Sequence, residues 1–346
     1  MKKKIRIAIA VMLIAAAATA AAAMGIRRYL DTPAGTDRAE RYVEIPAGAH
    51  FMEVAGILER EGIIRGVRRF RWLSWFKGNE TRIKAGEYAL HAAMKPSEVL
   101  DKMVRGECRT IPVTIPEGFT ARQIADLLAK RELADGEAFL SLTSDAQFAR
   151  SLGIQSDSLE GFLFPDTYHF TRGLGEKRIA ALLVGRFLAV FNDGYRRRAE
   201  ELHMTLEELV TLASIIEKET ADPAERPLIS AVLHNRLKEG MPLQSDPTVI
   251  YGLAGFNGNL TKDDLQQAHP YNTYLIKGLP PHPIANPGEA SLKAALFPDT
   301  VPYRYFVSKN NGTHHFSTTR EEHERAVAEY QRNRQSSPPA SRLLKK

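Results

Sequence analysis

An internal repeat limits the folds open to the first half of this chain more than any other feature of its sequence. The stretch "YVEIPAGAHFMEVAGILERE" from Tyr42 matches "PVTIPEGFTARQIADLLAKR" from Pro112, at a constant offset of 70 residues. Each copy reads as a short alternating strand, a turn at a Pro and a Gly, and a helix with apolar residues three and four positions apart. A further strand, turn and helix is predicted between the copies, in "RIKAGEYALHAAMKPSEVLDKMVRG". Residues 41–150 should therefore form small strand–helix units.

The N-terminus reads as a membrane anchor. Residues 1–6 carry three lysines and an arginine, whereas residues 7–26 contain no charged side chain. As a helix rising about 1.5 Å per residue, the uncharged segment would span roughly the 30 Å of a bilayer core. Lysines ahead of the span favour a cytoplasmic N-terminus and export of the rest of the chain. A cleaved signal peptide is the alternative, because Ala21 and Ala23 suit a peptidase. Residues 27–40 are polar and read as a stalk.

The composition sets limits on the redox class and on the partners. With 346 residues, 44% of them hydrophobic, the chain can bury a core and hold two or three domains. Cys108 is the single cysteine, so no internal disulfide is possible and redox chemistry is not expected. The net charge of +6 suits an anionic polymer or lipid as well as nucleic acid. No basic cluster interleaved with aromatic residues is expected beyond residue 6, so nucleic acid is not an expected partner.

Helical patterns alternate with loops in the second half of the chain. One long helix is predicted over "EKRIAALLVGRFLAVFNDGYRRRAEEL". Thr205 with Glu208 forms a capping box that starts another helix, which runs to about Glu219. A third covers "AERPLISAVLHNRLKEG". Residues 241–298 are rich in Pro, Gly and Asn and should form ordered loops, which tend to carry function. A hairpin around "YRYFVSKNNGTHHF" and a polar helix from Thr319 follow.

A glutamate near the end of the second of these helices lies on its apolar side. At about 100° per residue, Glu217 shares that side with Leu206, Leu209, Val210, Ala213 and Ile216. Glu219 points nearly the opposite way and is expected to be solvated. Burial disfavours a carboxylate, so we expect the pKa of Glu217 to be raised towards neutrality, as a general acid requires. The structural alternative is a salt bridge from Glu217 to an arginine such as Arg226 or Arg236.

Six separated stretches, in order, resemble the endolytic murein transglycosylase (YceG-like) family. They are "LEGFLFPDTYHF", "LASIIEKET", "ERPLISAVLHNRLKEGMPLQSDPTVIYGL", "YNTYLIKGLPPHPIANPG", "ALFP" and "YRYFVSKNNGTHHFSTTREEH". The resemblance extends over almost the whole chain. It implies an α+β protein with a single N-terminal transmembrane helix at 7–26, a LysM-like strand and helix region over 41–150 and a mixed α/β catalytic domain over 151–334. A disordered tail over 335–346 has no implied role.

The resemblance also implies an activity, that of a lytic transglycosylase of peptidoglycan. Such a lyase cleaves the β-1,4 bond between N-acetylmuramic acid and N-acetylglucosamine within nascent glycan strands, leaves 1,6-anhydro ends and so terminates strand elongation. Glu217 would protonate the glycosidic oxygen and then take the proton of the muramoyl C6 hydroxyl, which attacks C1. The protein would sit in the bacterial inner membrane with its catalytic domain in the periplasm, in contact with glycan strands and synthases of the elongation or division machinery.

Polar and aromatic residues that would line a glycan groove lie in the loops. As a set they are predicted to contact substrate, although each one singly could be stabilising its own turn. They are Gln244, Ser245, Asp246, Thr248, Tyr271, Asn272, Tyr274 and Asn286. Tyr168 and Glu160 join the set, with Glu160 either a second acid or else an N-terminal cap or buried ion-pair partner. Asn311 and His315 would touch substrate or stabilise the hairpin.

No metal and no cofactor is expected. His314 and His315 are adjacent and lack the spacing of a helical zinc site, and His269 and His282 each lie beside a proline in a loop. The sequence also lacks a P-loop, a dinucleotide fingerprint and a G-x-S-x-G elbow, which argues against an NTPase, a dehydrogenase and a serine hydrolase.

Two other functions stay open at the level of sequence. A membrane-tethered scaffold would hold glycan for the synthases without cutting it, and would not depend on Glu217. A cleaved, soluble periplasmic hydrolase would differ from the anchored enzyme in the mass of its mature chain.

Overall fold

The computed structural model describes residues 2–46 and 48–332 of the chain. Helices predominate, and six short strands accompany them, so the α+β class is confirmed. The helices are α1 Lys2–Asp31, α2 Phe51–Arg60, α3 Val67–Phe76, α4 Pro96–Arg105, α5 Ala121–Lys130, α6 Gly136–Thr143, α7 Ala146–Ser151, α8 Glu176–Val190, α9 Asp193–Glu201, α10 Leu206–Glu219, α11 Arg226–Lys238, α12 Asp246–Gly252, α13 Glu289–Leu296 and α14 Arg320–Val327. A short 3₁₀ turn covers Asp264–Gln266 and a wider helical turn covers Ala328–Arg332.

The strands form sheets of two strands each. They are β1 Arg41–Ile45, β2 Gly86–Leu90, β3 Ile111–Thr114, β4 Thr167–Phe170, β5 Tyr305–Ser308 and β6 His314–Ser317. β1 pairs antiparallel with β2, β3 pairs with β4, and β5 pairs antiparallel with β6. The last pair, in which Phe306 lies opposite Phe316, is the hairpin predicted from the sequence.

The internal repeat is confirmed as a structural repeat. β1 and α2 begin at residues 41 and 51, and β3 and α5 begin at residues 111 and 121, so both pairs keep the offset of 70 residues. The turn of each copy contains a glycine with positive φ, 79° at Gly48 and 75° at Gly118. Glycine adopts this backbone freely because it lacks the Cβ that would clash. The unit predicted between the copies is also present, as β2 and α4.

The two copies nevertheless belong to different compact units. An N-terminal unit contains the described chain up to Val113 together with 132–134 and 169–175, and a C-terminal unit contains 114–131, 135–168 and the described residues from 176 onward. The division falls inside the second copy, whereas the sequence suggested a boundary after residue 150. The contacts of α5 give the reason. Its first N–H, at Ala121, donates to the carboxylate of Glu160, and the helix packs against α6.

The predicted long helix over residues 176–202 is two helices. α8 ends at Val190, and the side chain of Asn192 accepts hydrogen bonds from the N–H groups of Gly194 and Tyr195, at 2.9 and 3.2 Å. An asparagine that satisfies the free N–H groups at a helix start favours a new helix over the continuation of the old one. The prediction of one helix was therefore wrong at Asn192.

Helix α10 lies at the centre of the C-terminal unit. Its predicted capping box is confirmed, because Thr205 N–H donates to Glu208 Oε2 at 2.8 Å and Glu208 N–H donates to Thr205 Oγ1 at 3.2 Å. Every residue from Leu209 to Ile216 is buried, and α9, α11, α12 and α13 pack around the helix. The sequence predicted a single apolar side, whereas in the structure the middle of α10 is buried on all sides.

The ends of the chain were predicted to be an anchor, a stalk and a tail. Helix α1 continues to Asp31 and so enters the predicted stalk. Among the described residues, no helix combines the length and hydropathy that crossing a membrane requires. The predicted tail over 335–346 lies outside the described residues.

Candidate active site

A cavity opens at the end of α10 in the C-terminal unit. Its volume is about 400 Å³, and Glu219, the last residue of α10, lies in its wall. Helices α11 and α14, the loops around α12 and the β5–β6 hairpin supply the rest. The other lining residues are Arg236, Gln244, Asp246, Tyr274, Phe306, Val307, Ser308, His314, His323, Val327 and Gln331. The cavity therefore combines two helix-borne acids, Glu219 and Asp246, with amide, hydroxyl, charged and aromatic groups.

A buried polar network holds the Glu219 side chain. The Ser245 hydroxyl donates a hydrogen bond to Glu219 Oε1. Ser245 is itself fixed, because its N–H donates to Thr273 Oγ1 at 3.0 Å and its carbonyl accepts from Thr248 Oγ1 at 2.7 Å. The two threonine hydroxyls lie 2.8 Å apart. The "LQSDPTV" and "YNTY" segments are thus joined behind Glu219, and its carboxyl group is preorganised.

The surroundings of Glu219 favour its protonated form. Burial, with a smaller contribution from the nearby charge of Asp246, raises the pKa of Glu219 from 4.5 to about 7. The Ser245 hydrogen bond and the charges of His314 and Arg236 act in the opposite direction. A carboxyl group that titrates near neutral pH can both donate and accept a proton, which is the requirement for general acid and base catalysis.

Two further charged groups at the cavity are held by buried contacts. The Arg236 guanidinium donates to the carbonyls of Arg304 and Leu243 at 2.6 and 2.7 Å. His314 pairs with Glu225 through Nδ1 to Oε2, at 2.6 Å, and through its backbone N–H to Oε1, at 2.7 Å. The positions of the Arg236 and His314 side chains are therefore set by groups outside the cavity.

Glu217 makes a different set of contacts. Its Oε1 accepts from Arg226 Nη2 at 3.1 Å, and its Oε2 accepts from the N–H of Gly288, the residue that precedes α13, at 3.0 Å. The Glu217 and Arg226 side chains are 6% and 8% exposed. Arg226 also lies 3.7 Å from the Glu117 carboxylate. The salt-bridge alternative for Glu217 is thus what the structure shows, and this pair ties α10 to α11 and to the start of α13.

The prediction that Glu219 is solvated was wrong. It treated the side of α10 opposite Glu217 as facing water, whereas Glu219 lies in the wall of a cavity that distant parts of the chain line. Glu217 does face into the unit, as predicted, but onto an arginine and a backbone N–H. The one sequence signal for Glu219 was its position as the last helical residue before the loop that starts at Thr220.

Glu160 acts as a cap on a neighbouring helix. Both of its carboxylate oxygens accept from the N–H of Ala121, at 3.0 and 3.1 Å, at the start of α5. Oε1 also accepts from Asn286 Nδ2 at 2.9 Å, and Oε2 from the Tyr251 hydroxyl at 3.2 Å. The predicted capping role is confirmed. Glu160 also lines a second cavity in this unit, of about 1170 Å³, together with Tyr251 and Lys218.

We expect Glu160 to make folding depend on pH. Burial raises its pKa from 4.5 to about 7, so between these values the folded chain keeps a proton that the unfolded chain releases. Its contribution to stability is complete below pH 4.5 and is lost as the pH rises through 7. At about 1.36 kcal/mol per unit, the loss is about 3 kcal/mol.

Urea unfolding of the wild type and of Glu160→Gln at pH 5 and pH 8 checks this prediction. The amide cannot ionise, so the stability advantage of the wild type over Glu160→Gln should shrink by about 2–3 kcal/mol from pH 5 to pH 8. Glu137→Gln is a matched control, because the Glu137 side chain is 86% exposed. An advantage of the wild type over Glu160→Gln that stays constant with pH would contradict the role of Glu160.

The structure brings some of the predicted substrate residues together. Gln244, Asp246 and Tyr274 line the cavity that contains Glu219, and the Tyr274 hydroxyl donates to Asp246 Oδ1 at 2.6 Å. Ser245 and Thr248 lie behind Glu219 in its supporting network.

The other predicted substrate residues make structural contacts. Asn272 donates to the carbonyls of Leu265 and Gln267, and Asn286 donates to the carbonyl of Phe119. These bonds stabilise loops, as the alternative interpretation held. Tyr168 donates to the carbonyl of Phe164, and the ring of Tyr271 packs against Tyr251. Asn311 accepts from Thr313 in the hairpin turn, and the ring of His315 lies near Tyr330.

Several lining residues were missed as cavity residues. Phe306 and Ser308 are two apart on β5, and His314 lies opposite Ser308 on β6. Period-two alternation predicts that residues two apart share one face of a strand, but it does not say which cavity that face meets. Across the described residues, no group of three His, Cys, Asp or Glu side chains is arranged to hold a metal ion.

Comparison with known proteins gives consistent matches. The sequence model of the YceG-like family matches residues 43–329. A Bacillus subtilis (strain 168) protein named endolytic murein transglycosylase is 31% identical over 303 residues, covering 83% of this chain and 84% of that protein. A Streptococcus pneumoniae (serotype 2, strain D39) protein of the same name is 30% identical over 344 residues, covering 88% of this chain and 62% of that protein. A crystal structure of a YceG-like protein from Listeria monocytogenes matches with a TM-score of 0.57 at 33% identity, covering 83% of this chain and 98% of that one.

Proposed function

The chain belongs to the YceG-like family, and on that premise we propose that it is an endolytic murein transglycosylase in which Glu219 is the catalytic acid and base. As such it is a lyase that cuts the β-1,4 bond between N-acetylmuramic acid and N-acetylglucosamine inside glycan strands. Glu219 is chosen because its carboxyl group lies in a cavity lined by polar and aromatic side chains, where its pKa is about 7. The assignment of this role to Glu217 remains the competing prediction.

The proposed reaction needs only one carboxyl group. Protonated Glu219 donates its proton to the glycosidic oxygen, the bond from that oxygen to C1 breaks, and positive charge develops on the muramoyl ring. The Glu219 carboxylate then takes the proton of the C6 hydroxyl of the same sugar as that oxygen attacks C1. The products are a 1,6-anhydro end and a strand with a free 4-hydroxyl. The nucleophile is already attached to the sugar, so no second carboxylate has to activate water.

The other lining residues fit supporting roles in this reaction. The charge of Asp246 favours protonated Glu219 before the reaction and would stabilise the positive ring as the bond breaks. Tyr274 and Phe306 offer aromatic surfaces for sugar rings, and Gln244 and Ser308 offer polar groups for acetamido and hydroxyl substituents.

The products of the full chain test the proposed function. Purified in detergent and incubated with uncrosslinked glycan strands, it should make internal cuts whose new ends are 1,6-anhydro sugars by mass spectrometry. Reducing ends would mean that water is the nucleophile. Strands that are bound but left uncut would instead favour the scaffold.

We expect activity to fall on the alkaline side of neutrality. The first step needs protonated Glu219, so kcat/KM should be constant below pH 7 and should fall about tenfold per unit above it. The Ser245 hydroxyl stabilises the carboxylate form of Glu219, so Ser245→Ala should raise the pKa of Glu219. The fall in kcat/KM should then begin at a higher pH. The measurement is the initial rate of anhydro-end formation from pH 5 to pH 9. If Ser245→Ala leaves the pH at which kcat/KM falls unchanged, Glu219 is not the titrating group.

The finer points of location are also proposals. We place residues 7–26 in the bacterial inner membrane, residues 1–6 in the cytoplasm and the catalytic domain over 151–334 in the periplasm. The uncharged segment after a cluster of lysines supports this placement. The LysM-like character of residues 41–150, the action on nascent strands and the partnership with synthases of elongation or division rest on the family resemblance.

A further inference from the structure

Helix α3 in the N-terminal unit exposes three large aromatic side chains. Trp72, Trp75 and Phe76 are 63%, 67% and 74% exposed. Their spacing of three and four residues puts them on one side of the helix, while Phe70 and Leu73 on the other side belong to the buried core. We call Arg68, Arg71, Trp72, Trp75 and Phe76 the α3 surface. Exposed aromatic residues grouped in this way mark an interaction site more often than a plain solvated face.

The same segment is strongly basic. Five cations lie between residues 65 and 77, and no acidic residue occurs from residue 62 to residue 79. Arg71 pairs with Glu80 at 3.2 Å and Lys77 pairs with Asp101 at 2.9 Å. Arg65 and Arg68 are exposed, and neither has an ion pair among the described side chains. The stretch contradicts the expectation that no basic cluster interleaved with aromatic residues follows residue 6.

The end of α1 packs against the unit that contains α3. Tyr29 and Leu30 pack against the core of the N-terminal unit, and α1 contacts both α3 and α4. Asp31 pairs with Lys95 at 3.1 Å, and the Leu30 carbonyl accepts from Ser97 Oγ at 3.2 Å. The C-terminal end of α1 is therefore fixed to the unit that carries the α3 surface. Any membrane that holds residues 7–26 must begin a short distance away.

We propose that the α3 surface binds the headgroup layer of an anionic phospholipid bilayer. Tryptophan is favoured in that layer because its ring is apolar and its N–H is polar, and arginine side chains bury their stems while their charges reach the phosphates. Each basic residue near an anionic surface adds to the attraction. Bound there, α3 would hold the N-terminal unit flat against the membrane. The inference goes beyond the proposed enzyme activity and rests on the proposed anchor only for the nearness of the membrane.

A glycan strand fits the α3 surface less well. Sugars also stack on aromatic rings, but their hydroxyl groups need carboxylate, amide or hydroxyl partners. A cavity of about 280 Å³ beside Trp72 and Trp75 is lined by Glu80, whose carboxylate is paired with Arg71 at 3.2 Å. The single hydroxyl residue between residues 65 and 78, Ser74, is buried. Phe76, the most exposed of the three aromatic residues, has no polar side-chain atom to offer. A lipid interface suits the three exposed rings and the two exposed arginines that have no ion pair in the described part of the chain, Arg65 and Arg68.

Tryptophan fluorescence can test the proposal directly, because Trp72 and Trp75 are the only tryptophans in the chain. The full chain is reconstituted into vesicles of phosphatidylcholine alone or with phosphatidylglycerol, each with brominated acyl chains as quencher. We expect a blue-shifted emission and at least twofold quenching in the anionic vesicles. Arg65→Gln/Arg68→Gln should lose at least half of that quenching. Arg178→Gln/Arg197→Gln removes the same charge from exposed positions of the C-terminal unit and should lose none.

Vesicle flotation separates failure of this proposal from failure of the anchor. A chain that floats with the vesicles while its emission is neither shifted nor quenched would keep the anchor and refute the α3 surface. A chain that does not float would refute both. Quenching that is equal in the two lipid mixtures and unchanged in Arg65→Gln/Arg68→Gln would refute recognition of anionic lipid. An emission change with soluble glycan strands, and none with vesicles, would assign the surface to glycan instead.

Discussion

Glu219→Gln is expected to lower the rate of anhydro-end formation by about 10³-fold, because the amide can neither protonate the glycosidic oxygen nor accept the C6 proton. Folding should be preserved, since the amide oxygen can still accept the hydrogen bond from Ser245. The measurement is single-turnover cleavage of uncrosslinked strands by the full chain, with the new ends identified by mass spectrometry.

Glu217→Gln is the matched control for that experiment, because it makes the same chemical change two residues away. Glu217 contacts Arg226 and Gly288, so the substitution should leave the rate within about tenfold of the wild type and act mainly on stability. The reverse result, in which Glu217→Gln abolishes cleavage and Glu219→Gln does not, would establish the assignment made from the sequence. Binding of strands without cleavage by the wild type and both variants would favour the scaffold.

Arg226→Met is expected to cost about 3–5 kcal/mol of unfolding free energy. It removes the guanidinium that neutralises Glu217 and leaves a carboxylate, 6% exposed, with one backbone N–H as its remaining partner. A buried charge without its counter-ion is far more costly than the loss of the pair as a whole. Urea unfolding at pH 7 measures the change.

Two comparisons separate the buried pair from a general effect of losing an arginine. Arg150 and Asp157 pair at 3.3 Å with side chains 52% and 73% exposed, so Arg150→Met should cost less than about 1 kcal/mol. Glu217→Leu/Arg226→Met should regain part of the loss, because no lone charge is then buried. The proposed structural role of Glu217 fails if Arg226→Met costs no more than Arg150→Met.

Local features of the structure were predictable from the sequence. The repeat keeps its offset of 70 residues in both strands and helices. The capping box at Thr205 begins α10 as predicted, and α14 begins after Thr319, where a polar helix was predicted. Each depends on residues a few positions apart, so the chain determines it before any distant contact forms. The error at Asn192 was also local, because a helix cap was read as part of a longer helix.

The candidate site could be predicted only in part. The motifs indicated the end of α10, and three of the predicted substrate residues, Gln244, Asp246 and Tyr274, line the cavity that contains Glu219. The choice between Glu217 and Glu219 depended on which directions around α10 lead to solvent. A period of 3.6 residues gives the relative directions of two side chains, but the identity of what lies in each direction comes from the packed neighbours.

The sequence by itself determined the α+β elements, the repeat, the helix starts, the hairpin and the family. The tertiary structure decided that the second repeat copy joins the C-terminal unit, that Glu217 meets Arg226 and that Glu219 meets a cavity. Residues between 219 and 331 build that cavity from six separate parts of the chain. The pKa of Glu219 is raised because those distant parts exclude water from it. Exclusion of water is a property of the assembled neighbours, and no local pattern of residues encodes it.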